Sequence, residues 1–395
     1  PFQREVMKAI SDKQTEKVIM MYGAQLSKTE LLLNTFGHHA DYDPAPIMFL
    51  MPTQKMAEDF ATTRLNDMIL STPQLKSKII ENETSRDTKT QKDFPGGYII
   101  LTGSNSAAEL ASRPIRILLA DEIDRFPNDV KGEGDPLNLA IERTKTFWNK
   151  KIVLTSTPTV RGESRIEQEY ENSTQEEYYI PCPKCGTMQR LEWKNIVFEN
   201  IGHKCQDCLE VSSEYEWKKN MKEGEWIAGN VEIDPKAVRG FHISELYSPF
   251  STWKSIIKKF KESKGDVQLM KVFTNTALGE TFEEKRDKMD FEKIVSAYEK
   301  NPSIRGVAIA LNISHTTVRK TLITRGILKY KKTEEAVAAL NRGETISAIA
   351  AEWGCSRNTV HSYLPYTKGA YKEEHPSQNA LRIRKHRGKK NNVTG

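Results

Sequence analysis

The chain has 395 residues, 37% of them hydrophobic, with a formal net charge of +6 at pH 7. That length predicts two or three domains with room for a large core. No stretch is long and apolar enough to span a bilayer and no signal peptide opens the sequence, which predicts a soluble, intracellular protein.

The chain begins at Pro1 without a methionine, so residues upstream are expected. From Gln3 to Ser11 the pattern predicts an amphipathic helix. Lys17–Tyr22 reads as a strand, Gly23–Glu30 as a loop, and Leu31–Leu33 as the helix it opens onto. Strand, loop with Lys-Thr, then helix is the layout of a phosphate-binding loop. There, backbone N–H groups and the helix N-terminus cradle phosphates, Lys28 reaches the outer phosphates and the Thr29 hydroxyl binds magnesium. The match is imperfect: counting back from Lys28, Tyr22 and Ser27 stand where glycines are expected, and Gly23 is shifted by one position. On this stretch alone a generic strand-to-helix turn explains the pattern as well.

Ile47–Met51 is a second apolar strand. The helix after it carries Met56, Phe60, Leu65, Met68 and Ile69 as core residues, and Arg64, expected in a surface ion pair. Gly97–Gly103 reads as another strand. Ile115–Ala120 is too short for a typical helix and reads as a strand buried on both faces, closed by Asp121 and Glu122. Ligands of parallel sheets sit at the carboxyl ends of the strands. Asp121 is therefore expected to hold the magnesium of a bound nucleotide, and Glu122 to polarise the attacking water. A solvated acidic turn is the plain alternative, and it loses ground because a phosphate loop precedes it. Lys151–Ser156 ends in a hydroxyl-rich turn at the same sheet edge. Thr155 and Ser156 are expected to couple hydrolysis to movement, as such turns do in helicase-like motors. Alternating strands and helices across 1–180 predict an α/β nucleotide-binding domain on a parallel sheet.

Four of the five cysteines form two tight pairs, Cys182/Cys185 and Cys205/Cys208, which in a chain of this kind argues for metal rather than disulfides. Four thiolates at this spacing predict a structural zinc ribbon over 181–215, with His203 as a competing ligand the site does not need. Trp253, Ile256, Ile257 and Phe260 repeat at helical spacing and are expected in a core.

From about Met289 the pattern changes. Two helix-turn-helix units are expected, at 289–330 and 331–366, with Ser314 and Ser356 capping the second helix of each. The exposed candidates for DNA contact are His315, Thr316, Arg319 and Lys320 in the first unit, and Arg357, Asn358 and His361 in the second. Such units also serve as protein-docking modules, and Cys355 is read as packing. The tail at 367–395 is basic, and either meets a polyanion or stays a solvated tail.

Several longer motifs now carry a resemblance: Asp121-Glu122-Ile123-Asp124-Arg125-Phe126-Pro127, Glu133-Gly134-Asp135-Pro136, Ser156-Thr157-Pro158-Thr159, Pro181-Cys182-Pro183-Lys184-Cys185-Gly186, Arg239–Pro249 and Phe273–Glu280. In this order the chain resembles the large terminase subunit of lambda-type tailed phages, the GpA family, over residues 1–288. The resemblance implies an ATPase motor of DNA packaging in the cytoplasm of a bacterial host. It also implies ATP and Mg2+ as cofactors beside structural Zn2+, double-stranded DNA, a small terminase subunit and the portal as partners, and a homo-oligomeric ring. It further implies that Phe2-Gln3-Arg4 touches the adenine, with Gln3 reading its edge, and that 216–288 is a linker and the start of the family's nuclease region. The nuclease core itself does not continue, so nuclease activity is expected to be absent, in a truncated or recombined gene or a motor whose nuclease is encoded separately. Nucleotide binding is assigned to Gln3, Gly23, Ser27, Lys28 and Thr29, and the trans-acting arginine to Arg64, Arg113 or Arg143 without ranking. The alternative function is a catalytically inactive DNA-binding or regulatory prophage protein retaining a relic ATPase domain.

Overall fold

The computed structural model describes residues 1–79, 88–110, 113–283, 291–311 and 313–365, without the side chains of residues 107, 108 and 358. The basic tail expected at 367–395 lies outside these residues. The chain divides into two compact units, Pro1–Glu284 and Lys285–Gly395.

The first unit is built on a ten-stranded sheet. Its first strands are β1 (Lys17–Tyr22), β2 (Pro46–Met51), β3 (Gln91–Phe94), β4 (Gly97–Gly103), β5 (Ile117–Asp121), β6 (Lys151–Ser156), β7 (Glu176–Pro181) and β8 (Met188–Gln189). Three short strands, β9 (Ile196–Val197), β10 (Gly202–Lys204) and β11 (Val211–Ser213), make a separate antiparallel sheet. The chain then returns with β12 (Glu225–Ala228) and β13 (Val238–Ile243). Across the main sheet the order is β12-β7-β13-β1-β6-β5-β2-β4-β3, with β8 paired to β7. Strands from β7 to β4 along that order run parallel, and β3, β8 and β12 pair antiparallel.

A parallel sheet is stable only with both faces covered. The alternating side chains of β1 show the division: Val18, Met20 and Tyr22 enter the core on one face, Ile19 and Met21 the core on the other. As expected from their short apolar runs, β5 and β6 are buried along their whole length.

Part of the stretch 216–288, expected to be a linker and the start of the family's nuclease region, belongs to this sheet. β13 pairs in parallel with β1 from Lys17↔Val238 to Tyr22↔Ile243, so residues 238–243 lie beside the phosphate-loop strand. The helix Trp253–Ser263 buries Trp253, Ile256 and Ile257 as its spacing predicts. Phe260 joins Trp193, Phe198 and Phe273 in an aromatic cluster that ties this helix to the cysteine-bearing segment.

The second unit contains two small helical cores. Helices Phe291–Lys300, Ile304–Ala310 and His315–Thr324 enclose Ile294, Val307, Val318 and Leu322. Helices Lys331–Asn341, Ile346–Glu352 and Arg357–Tyr363 enclose Ala336, Ile349, Val360 and Leu364. Cys355 packs against that second core.

Candidate functional site

β1 runs into the loop Gly23–Ser27, and the helix Lys28–Asp41 starts directly after it. Ser27 takes φ +60° and Gln25 φ +56°, a left-handed conformation that costs L residues about 1–2 kcal/mol each. Ser27 thus holds a conformation that the usual glycine at this position adopts without strain. Its side chain makes no cap, so the first-turn N–H groups and the positive helix end are left to meet an anion. Lys28 Nζ donates to Gly23 O at 2.9 Å and Tyr22 O at 3.4 Å, folding back onto its own loop. Burial lowers the Lys28 pKa, with the carboxylates of Glu122 and Asp121 pulling the other way and Arg125 adding to the lowering.

Because β6 lies between β1 and β5, the acidic strand end stands one strand away from the loop. Thr29 closes that distance: its Oγ1 donates to Asp121 Oδ2 at 3.2 Å. Asp121 is 4% exposed and its Oδ1 has no hydrogen-bond partner. Burial, then the charge of Glu122, pushes its carboxyl up to about 6, against Lys28 and the Thr29 bond. An orphaned buried carboxylate oxygen beside a threonine hydroxyl is a donor set that suits magnesium. Glu122 follows with φ +56° and pairs with Arg125 Nε at 3.2 Å. Ser27, Lys28, Thr29 and Glu122 line one cleft of about 510 Å³, together with Gln25, Arg64, Arg125 and Phe250.

Thr155 lies in register with Asp121 on one side and Met20 of β1 on the other, buried and with its hydroxyl unpartnered. Ser156 Oγ accepts from Asp124 N at 3.3 Å and donates to Thr157 O at 2.9 Å. Asp124 in turn accepts from Thr159 Oγ1 at 2.8 Å and Ile166 N at 2.8 Å. The hydroxyl-rich turn and the acidic loop are therefore one hydrogen-bonded assembly.

Two of the expected nucleotide-binding residues do not line the cleft. Gln3 is absent from its walls, and its neighbour Phe2 is 4% exposed, packed against Tyr178. Gly23 serves packing instead: its N–H donates to Ile243 O at 3.0 Å, and a Cβ on it would stand 2.9 Å from Thr276 O. Ala24 N donates to Thr276 O at 2.6 Å, and Ser248 Oγ donates to Gln25 O at 2.8 Å. The segment after β13 thus holds the phosphate loop from behind, which motif spacing did not reveal. Of the three candidate arginines, only Arg64 lines the cleft, and it pairs with Glu30 at 2.8 Å. Arg113 lies over Tyr98, and Arg143 ends the helix Pro136–Glu142. Arg125 was not foreseen; its place beside Glu122 follows from the sharp turn after β5.

The four cysteine Sγ atoms lie within 4.8 Å of one another, with Cys185–Cys205 at 3.7 Å and Cys182–Cys208 at 3.9 Å. Tetrahedral zinc at about 2.3 Å from sulfur would set its ligands about 3.8 Å apart. The N–H groups of Lys184 and Asp207 and the Gln189 amide point at Cys182 and Cys205, the outer shell that thiolates need. His203 is not a competitor. It is fully buried, accepts from Glu192 N at 3.2 Å, packs on Trp217, and is held at a pKa of about 4 by burial.

In the second unit Ser314 and Ser356 accept from Thr317 N and Thr359 N, the caps expected of them. His315, Thr316, Arg357 and His361 are exposed. Arg319, expected to be exposed, is half-buried instead: its guanidinium lies 5.4 Å from the Tyr363 ring centre and 3.5 Å from Ser362 Oγ. The cause is that the helix His315–Thr324 packs on the helix Arg357–Tyr363, and a long cation covers the ring between them. Lys320 is half-buried too, with its pKa lowered by desolvation. The Asn358 side chain lies outside the described residues.

A left-handed loop before an uncapped helix, joined by a threonine bond to an acidic strand end on a parallel sheet, defines a P-loop nucleotide-binding domain. The chain belongs to the phage terminase large subunit gpA family: that family's ATPase domain matches residues 1–226, and its endonuclease domain matches residues 238–316. Among relatives, the terminase large subunit of Escherichia phage lambda is 29% identical over 315 residues, covering 72% of this chain and 49% of that protein. The one from Enterobacteria phage P21 is 28% identical over 318 residues, with the same coverage. The chain therefore spans about half the length of the curated relatives it matches. The HK97 bacteriophage large terminase is similar at a TM-score of 0.48 and 11% identity, over 71% of this chain and 50% of that one.

Proposed function

We propose that the chain is the ATP-hydrolysing motor subunit of a phage DNA-packaging terminase, translocating double-stranded DNA. The observation that carries this is the Thr29–Asp121 bond, which joins the phosphate loop to the acidic strand end with Lys28 and Glu122 on the same cleft. Family membership supports the same reading.

In this mechanism Lys28 exchanges its loop carbonyls for the outer phosphates of ATP, and the helix N-terminus takes the others. A magnesium ion held by Thr29 Oγ1 and the Asp121 carboxylate would neutralise charge on the transferred phosphoryl group. Glu122 orients the attacking water and accepts its proton. Thr155 and Ser156 pass the change to the Asp124 loop, and through it to DNA grip. Zinc in the four-cysteine site is structural, since all four positions of a tetrahedral ion would be filled by protein. His315, Thr316, Arg357 and His361 are proposed as DNA contacts, with Lys320, Asn358 and the basic tail as lesser candidates. A small terminase subunit and the portal are the expected partners of a homo-oligomeric ring in the host cytoplasm. The family's nuclease chemistry is proposed to be absent, although the endonuclease domain matches as far as residue 316, because the described residues from Phe291 on form helices and no strand end there carries metal-binding acids; conversion of plasmid to linear DNA by the pure chain would overturn that.

The test is ATP turnover with and without duplex DNA, beside Glu122→Gln. The variant is expected to lose about 10²–10⁴-fold in turnover while still binding nucleotide. No turnover in either protein, with duplex DNA still bound, would replace the motor by a relic ATPase in a DNA-binding protein.

A further inference from the structure

Phe250 is 73% exposed, yet the turn that carries it is firmly held. Ser248 is fully buried, donates through Oγ to Gln25 O in the phosphate loop at 2.8 Å, and accepts from Phe250 N at 3.1 Å. Lys218 Nζ donates to Ser248 O at 2.6 Å and Ser251 O at 2.8 Å, fixing the backbone on both sides of the ring. A lone exposed apolar side chain is ordinary by itself; this one is singled out by its fixed turn and by its place. The ring also lines the same cleft as Lys28, Thr29 and Glu122. The aromatic expected by resemblance to meet the base, Phe2, is unavailable, being buried against Tyr178 with its carbonyl taken by Trp226 Nε1 at 2.8 Å.

We propose that Phe250 packs against the nucleobase of the nucleoside triphosphate bound in this cleft. The inference rests on the nucleotide-site reading above and adds to it the residue that meets the base. Phe250 lies beyond the stretch matched by the ATPase domain, inside the one matched by the endonuclease domain. Every base offers a π face, so such a contact is tolerant of base identity. It therefore strengthens binding of ATP and GTP alike and leaves a bare polyphosphate untouched.

The test is calorimetric binding of Mg–ATP, Mg–GTP and Mg–tripolyphosphate to the full chain, Phe250→Ala and Phe250→Trp. The alanine variant is expected to bind ATP and GTP about ten-fold more weakly, with tripolyphosphate unchanged and the tryptophan variant restored to wild-type affinity. Unchanged ATP affinity in the alanine variant would overturn the proposal. So would a parallel loss of tripolyphosphate, which would mean that Phe250 only shapes the loop. If the wild-type chain binds neither ATP nor tripolyphosphate, the nucleotide-site reading itself falls, and this proposal with it.

Discussion

Replacing Asp121 by asparagine removes a buried charge while keeping an oxygen for the Thr29 hydroxyl. Asp121 is 4% exposed, and burial with the Glu122 charge lifts its carboxyl from 3.8 to about 6. A carboxyl whose folded pKa is raised binds its proton more tightly in the folded state, so folding stability falls as pH rises from the unfolded value through the folded one. At 1.36 kcal/mol per pH unit, the ionised carboxylate costs the fold up to about 3 kcal/mol above pH 6. Lys28 loses part of its counter-charge in the variant but keeps Glu122, so the net gain from Asp121→Asn is expected at about 1–3 kcal/mol. For a unit of this size, that raises the melting temperature by about 2–6 °C near neutral pH. The gap should close as pH falls through about 6 towards 4, where both proteins carry a neutral side chain. Mg–ADP at about a hundred times its dissociation constant adds about 2.7 kcal/mol to a competent site. Wild type should show that rise on scanning fluorimetry and Asp121→Asn should lose most of it. A variant that melts at or below wild type near neutral pH, or a gap that persists at low pH, would refute the assignment of Asp121 as a destabilised metal-binding carboxylate.

Elemental analysis is expected to find about one zinc per wild-type chain and none in Cys205→Ser, with the segment around Trp193 and Trp217 unfolded in the variant, since binding energy at such a site is folding energy; a wild-type chain without zinc, or zinc retained in the variant, would reject the four-thiolate site. At Gly279 (φ +66°) a Cβ would stand 2.7 Å from Gly23 N, so Gly279→Ala should cost about 1–3 kcal/mol and weaken nucleotide binding. Full nucleotide affinity in that variant would mean that the segment behind the loop is not its support.

The sequence made the placement of the candidate residues legible where local spacing carries it. A short apolar run ending in Asp121-Glu122 reads best as a buried strand with its acids at the sheet edge, and two cysteine pairs at knuckle spacing are built to converge on one ion. Ser314 and Ser356 were readable for the same reason, since a cap is satisfied three residues away. Contacts between distant segments were not legible. β13 pairs with a strand more than two hundred positions earlier, and its sequence carries an arginine, a glycine and a histidine that read as a connector. Arg319 failed for a related reason: helical periodicity gives the face of its own helix but not that a second helix covers it.

The same long-range contacts explain how a loop without its usual glycines keeps its shape. Gln25 and Ser27 hold left-handed backbones that their side chains disfavour, and such strain persists only where surrounding structure over-determines it. Here Ile243 O and Thr276 O take the N–H groups of Gly23 and Ala24, Gly279 packs against Gly23 N, and Ser248 binds Gln25 O. All four supports come from residues 243–279, beyond the stretch matched by the ATPase domain. The supporting segment reaches as far as Phe282, whose N–H donates to Thr159 O at 2.9 Å and so links it to the turn that follows Ser156. Gln25 and Ser27 can stand where the backbone favours glycine because the loop's conformation is imposed from outside, by a strand, a turn and a helix end that arrive late in the chain.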